Sequence, residues 1–275
     1  MDMASPIRAL LLDIDGTLVP LGRTGVSPAI VRRVEQIRAA GVAVIVATGR
    51  SSFVLGPRLL GTFAADYYIC ANGAEVVDAE GRRLSEDRFN EEEVQLLTAY
   101  CEREKLILAF PFEDGYGIYT GYEDYLAGAG RPGETRRDPV GEGPYDGWVK
   151  NCPGRDRHLT GLPFGAVIHG VPEGHRFPAA LAGFQFVGFR RGSFDVYHAQ
   201  VDKARAAARL LEKIGVPLSC AAAVGDGNND VPLIRAMGVG VAMGNARPAL
   251  RQAADFIVGP VEEDGLLEAF DRLGL

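Results

Sequence analysis

Two carboxylates, Asp13 and Asp15, stand two residues apart directly after the apolar run Ala9-Leu10-Leu11-Leu12 and just before Gly16 and Thr17. The run reads as a short strand buried on both faces, as in the middle of a parallel sheet. A strand spacing of two predicts that both carboxylates point to one side, and a turn at Gly16 lets the chain leave the sheet there. Two carboxylates held so close repel, so a metal ion, a proton or a cation must share their site. Taken alone, the motif also fits an Asp-Gly turn whose acids simply meet water.

Three further strand ends carry matching chemistry. Val42-Ala43-Val44-Ile45-Val46-Ala47 runs into Thr48-Gly49-Arg50, a hydroxyl, a flexible turn and a guanidinium suited to cradling a phosphate. Asp202 reads as the N-cap and Gly215 as the stop of a helix, which puts Lys203 at its first position. A lysine there opposes the helix dipole, so an anionic site is the reason to expect it. Cys220-Ala221-Ala222-Ala223-Val224 ends in Gly225-Asp226-Gly227-Asn228-Asn229-Asp230, an oxygen-rich cluster suited to a hard divalent cation. Each of these has a bland alternative as a polar turn or a solvated charge. Chance turns do not account for four strand ends alike.

The ordered set DxDGT, ATGR, a helix-starting lysine and GDxxND resembles the haloacid dehalogenase superfamily of phosphohydrolases. About 150 residues lie between Thr48 and Lys203, room for an inserted domain. This is similar to the Cof-type sugar-phosphatase branch with its type IIB cap. Cys70-Ala71-Asn72-Gly73-Ala74, Val241-Ala242-Met243-Gly244-Asn245-Ala246 and Glu263-Asp264-Gly265 extend the likeness. One departure lies before the lysine, where His198 and Gln200 replace the proline and glycine common in the family. A connector histidine held by hydrogen bonds is the reading preferred over an acid/base role.

The resemblance implies a Mg²⁺-dependent phosphomonoesterase. Asp13 is then the nucleophile and Asp15 the acid/base. Mg²⁺ is held by the Asp13 carboxylate, the Asp15 carbonyl and Asp226, with Asp230 in support and Asn229 a direct or water-mediated ligand. Thr48, with Gly49, Arg50 and Asn72, contacts the phosphoryl group or substrate, and Lys203 neutralises charge. The expected substrates are small phosphorylated metabolites, sugar or polyol phosphates first. Mannosyl-phosphoglycerate, sucrose phosphate and phosphorylated cofactors stand as alternatives. A phosphomutase using the same aspartate and a non-catalytic sugar-phosphate sensor are the competing classes. Arg190 and Arg191 are candidates for a second anionic group, against a plainer reading as solvated arginines.

Composition sets further limits. The 275 residues, 47% hydrophobic, can bury a sizeable core. No apolar run approaches the ~20 residues that span a bilayer. Met1-Asp2-Met3-Ala4-Ser5-Pro6 lacks the basic and apolar regions of an export signal, which points to the cytoplasm. The four cysteines are scattered, as reduced thiols are, and a net charge of −7 offers nothing to nucleic acid or an anionic membrane. A monomer or small homo-oligomer is expected. Alternating strands and helices predict an α/β fold, a Rossmann-like parallel sheet with helices on both faces, over 1–83 and 200–275. Residues 84–199 read as an inserted α+β cap with strands at 106–112, 116–120, 166–170, 184–189 and 193–198, and helices near 91–104 and 176–182. Its stretch 121–161, rich in Gly, Pro and charge, reads as a long excursion over the active site, with an ordinary flexible surface insertion an equal alternative for 128–147.

Overall fold

The computed structural model describes residues 6–128 and 148–275. The chain divides into two units, residues 1–85 with 202–275 and residues 86–201. Both crossings fall two residues beyond the positions expected from the sequence.

In the first unit β1 (Ala9–Leu12) leads through α1 (Pro28–Ala39) to β2 (Ala43–Ala47). The short α2 (Pro57–Leu60) precedes β3 (Tyr67–Cys70), and β4 (Glu75–Asp78) and β5 (Arg83–Glu86) follow. The inserted unit contributes α3 (Glu91–Arg103), β6 (Ile107–Phe112), β7 (Gly115–Thr120), α4 (Tyr122–Leu126) and β8 (Val149–Asn151), then β9 (Ala166–His169), β10 (Phe184–Arg190) and β11 (Ser193–His198). The first unit resumes with α5 (Lys203–Lys213), β12 (Ala221–Gly225), α6 (Val231–Ala236), β13 (Val239–Ala242), α7 (Pro248–Ala253), β14 (Phe256–Ile257) and α8 (Gly265–Leu273).

The first sheet has the order β14-β13-β12-β1-β2-β3-β4-β5. From β14 to β3 every neighbour is parallel, and β4 returns antiparallel to β3. Side chains alternate across it, as the period of two requires. Leu10 and Leu12 join Ile30, Val31, Val34 and Ile37 of α1 and Phe270 of α8 on one face. Ala9 and Leu11 join Ala207, Leu210 and Leu211 of α5 and Ile234 of α6 on the other. Helices on both faces are why β1 is apolar throughout and fully buried. The parallel sheet sends β1, β2, β3 and β12 to one end, where their following loops gather.

The inserted unit is a six-stranded sheet, β10-β11-β9-β6-β7-β8, antiparallel except for the β7–β8 pair. Val94, Leu97 and Cys101 of α3 pack with Leu108, Phe110, Ile168 and Val196 in its core. Asn90 starts α3 through a capping box, accepting from the Glu93 N–H at 2.9 Å while the Glu93 carboxylate accepts from the Asn90 N–H at 2.8 Å.

The helix expected near 176–182 is a single 3₁₀ turn, Ala179–Leu181. Pro178 keeps the preceding chain extended and Gly183 follows at once, which leaves space for one turn. Within 121–161 the described residues form α4, β8 and a turn at Arg157–Leu159, while 129–147 lie outside the described residues. Among the described residues no helix is long and apolar enough to cross a membrane.

Candidate active site

β1 stops at Leu12, so Asp13 and Asp15 stand in the turn beyond it. Asp13 is 6% exposed. Gly16 follows at φ +82°, and a Cβ there would meet Asp226 Oδ2 at 2.4 Å. Only glycine both takes this backbone and lets the first loop approach the Asp226 loop.

Asp202 caps α5 by accepting the Arg205 N–H at 2.7 Å, which fixes Lys203 at the first helical position. Lys203 is 1% exposed, and its Nζ donates to Asp13 Oδ1 at 2.7 Å and to Asp230 Oδ1 at 2.6 Å. The dipole penalty expected of this lysine is thus offset by two carboxylates. Burial works against its charge, but Asp13 and Asp230 outweigh burial and hold the ammonium well above its ordinary value.

Asp230 is itself 1% exposed. Its Oδ2 accepts from the N–H groups of Gly227 at 3.0 Å and Asp226 at 3.3 Å. A Cβ on Gly225 would lie 2.7 Å from that oxygen, so the end of β12 must be glycine for the loop to fold back. Asp13, Asp226 and Asp230 bring carboxylate oxygens within 4.8 Å of one another. Burial, then Asp230, pushes Asp13 well above the usual carboxylate range against the pull of Lys203. Burial followed by Asp230 raises Asp226 to about 7. One buried ammonium cannot compensate three clustered carboxylates, and an all-oxygen donor set of this kind fits a hard dication.

The loop after β2 supplies Thr48, 1% exposed, whose Oγ1 accepts the Arg50 N–H at 3.1 Å. The Thr48 hydroxyl proton is therefore directed elsewhere. The Arg50 guanidinium, read from the sequence as a phosphate contact, is engaged differently. Its Nε lies 2.7 Å from Asp15 Oδ2 and its Nη2 2.6 Å from Asp15 Oδ1, a bidentate pair. Asn72 sits in a left-handed stretch with Ala71 at φ 48° and Gly73 at φ 108°. Its backbone N–H reaches Thr48 O at 3.0 Å and its Oδ1 accepts from Asn229 Nδ2 at 2.9 Å. Its buried Nδ2 has no hydrogen-bond partner, nor has the buried hydroxyl of Thr17. Such strained and unsatisfied groups gather at functional sites. Gly49 closes on the same amide, since a Cβ there would lie 3.2 Å from Asn72 Nδ2.

The first unit thus brings together Asp13, Asp15, Thr48, Gly49, Arg50, Asn72, Lys203, Asp226, Asn229 and Asp230. Arg190 and Arg191 belong to the inserted unit. Arg191 pairs with Glu173 at 2.7 Å, both exposed, and Arg190 lies over the Phe189 ring. His198 also belongs to that unit. Asn245 is the residue whose role the sequence reading passes over. Its Nδ2 donates to Gly16 O at 2.8 Å and lies 3.4 Å from Asp226 Oδ2, while its Oδ1 accepts the Val261 N–H at 3.0 Å. A Gly-Asn pair after a strand was the available signal.

Comparison with known proteins shows the family. The model of the haloacid dehalogenase-like hydrolase family matches residues 10–136 and 175–270. A phosphoglycolate phosphatase of Archaeoglobus fulgidus is 26% identical over 273 residues, spanning 98% of this chain and 97% of that one. BT1666 of Bacteroides thetaiotaomicron, studied among phosphatases of the haloalkanoate enzyme superfamily, shares the fold at a TM-score of 0.85 and 22% identity, over 100% of this chain and 97% of its own. BT4131, a subclass IIB sugar phosphatase, shares it at a TM-score of 0.79 and 22% identity, over 97% and 99% of the two chains. The chain therefore belongs to the haloacid dehalogenase-like hydrolase family.

Proposed function

We propose that this phosphatase hydrolyses small phosphomonoesters, sugar or polyol phosphates first, through a phosphoryl group carried on Asp13. The observation that carries the reading is the buried Lys203 ammonium bound to both Asp13 and Asp230. Its charge pulls Asp13 toward the nucleophilic anion, against the burial and the Asp230 charge that favour the protonated acid.

Asp13 has one oxygen on Lys203, and its other oxygen attacks phosphorus as the P–O bond to the leaving alcohol breaks. Asp15 gives that alcohol its proton, then takes one from the water that cleaves the acyl phosphate and restores Asp13. Arg50 fixes the plane of the Asp15 carboxylate. Thr48 donates its hydroxyl proton to a phosphoryl oxygen, and the spare Nδ2 hydrogen of Asn72 points to the same use. Lys203 spreads the charge that builds on Asp13 and the phosphoryl oxygens.

Mg²⁺ fits the donor set on charge and hardness. The Asp13 and Asp226 carboxylates with the Asp15 carbonyl would hold it, Asp230 would anchor the loop, and Asn229 would serve through the oxygen not engaged by Asn72. When bound, Mg²⁺ adds positive charge for the incoming phosphate dianion.

The test is phosphate release from hexose phosphates, polyol phosphates, phosphoglycolate and p-nitrophenyl phosphate, with and without Mg²⁺. The reading expects Mg²⁺-dependent release, fastest from a sugar or polyol phosphate. Transfer of the phosphoryl group back to a sugar, in place of release, would establish a mutase.

A further inference from the structure

His198 ends β11, the last strand before the chain leaves the inserted unit, and Asp87 follows β5 where the chain enters it. The imidazole lies between two carboxylates. Its Nδ1 meets Asp87 Oδ1, and its Nε2 lies 2.9 Å from Glu93 Oε1. A neutral imidazole has one N–H and one lone pair, so it would turn that lone pair on a carboxylate oxygen. Only the imidazolium donates to both. The surroundings agree. The His198 side chain is 16% exposed, with Phe89 at 5.1 Å edge-on and Phe184 stacked at 6.0 Å. Asp87 on the entry segment and Glu93 on α3 are the charged groups that face the ring, while β10 presents the Phe184 ring. Burial disfavours the charged ring, but Asp87 and then Glu93 outweigh it and raise His198 above its ordinary 6.5. Glu93 also closes the capping box that starts α3, so the same proton is linked to the first turn of that helix.

We propose that His198, bridging Asp87 and Glu93 as an imidazolium, is a proton-operated staple at the root of the inserted unit, tying its entry segment, its first helix and its exit strand together. Loss of the proton turns one of the two contacts into a repulsion and loosens all three. The device is separate from the phosphatase chemistry and stands or falls without it.

Two readings on the full chain test it together: the His198 ring titration by NMR, and amide protection factors at 87–94 and 196–201 between pH 5.5 and 9. The staple predicts a midpoint above 6.5 that moves down in Asp87→Asn. It also predicts protection that falls as pH climbs from 6.5 to that midpoint, by about tenfold for each unit the midpoint is raised. In His198→Gln, which cannot titrate, protection should be flat with pH. A native midpoint at or below 6.5, or equal pH dependence of protection in native and His198→Gln protein, would overturn the proposal. Asp87→Asn keeps the capping box intact, so its result does not depend on the folding of α3.

Discussion

Asp226 shows how far a single position in this site depends on charges it does not carry. Its carboxyl is raised from 3.8 to about 7, by burial first and Asp230 second, so the metal-free fold binds a proton there that the unfolded chain has already lost. For an acid raised on folding, stability falls as pH climbs between those values and stays low above about 7. Thermal melts of metal-free protein should show that decline in the native chain and a flatter profile in Asp226→Asn. Protons also compete with the cation, so Mg²⁺ affinity by calorimetry should fall by up to about tenfold per pH unit below 7. Arg50 makes a different prediction. Without the bidentate pair the Asp15 carboxylate is free to rotate, and Arg50→Met should lower turnover of alkyl phosphates about 10²-fold, the low end of an acid/base contribution. A p-nitrophenyl leaving group needs less protonation, so its turnover should drop less. Equal losses on both substrates would make Arg50 a simple phosphate contact.

The elements that deliver these side chains were legible where the chain states them locally. The apolar runs at 9–12 and 43–47 end in chemistry-bearing residues because a buried parallel strand is apolar on both faces and its carboxyl end is the first place a polar group can stand. Asp202 and Gly215 announced α5 by their capping chemistry. Asp202→Ala should cost about 1 kcal/mol, the usual worth of such a cap, measured by urea unfolding. What the sequence hid is non-local. The Arg50–Asp15 pair joins residues 35 positions apart, and Asn245 reaches Gly16 across 229. Neither pairing leaves a periodicity. The antiparallel return of β4 was missed because Glu75–Asp78 is wholly buried yet carries two acids, which masks its strand pattern. Glu75 is buried there because Arg83 donates to it at 3.0 Å. The helix expected near 176–182 shrinks to one turn because Pro178 and Gly183 bound it closely.

For the molecule as a whole, the two crossings at 85/86 and 201/202 separate a unit that holds every candidate catalytic residue from one that holds His198, Arg190 and Arg191. A site with three clustered carboxylates and one buried lysine is electrostatically incomplete, so its cation should also stabilise the fold. Mg²⁺ at about 100 times its dissociation constant should add about 2.7 kcal/mol, read as a rise in Tm that Asp226→Asn abolishes. The central claim is that Asp13 carries the phosphoryl group, and the most direct test compares phosphate release by native protein and Asp13→Asn on the best sugar or polyol phosphate with Mg²⁺ present. Asparagine keeps the size of the side chain and lacks the nucleophilic anion. Turnover in native protein and its loss in a folded Asp13→Asn is the predicted result; comparable turnover in both would contradict the account.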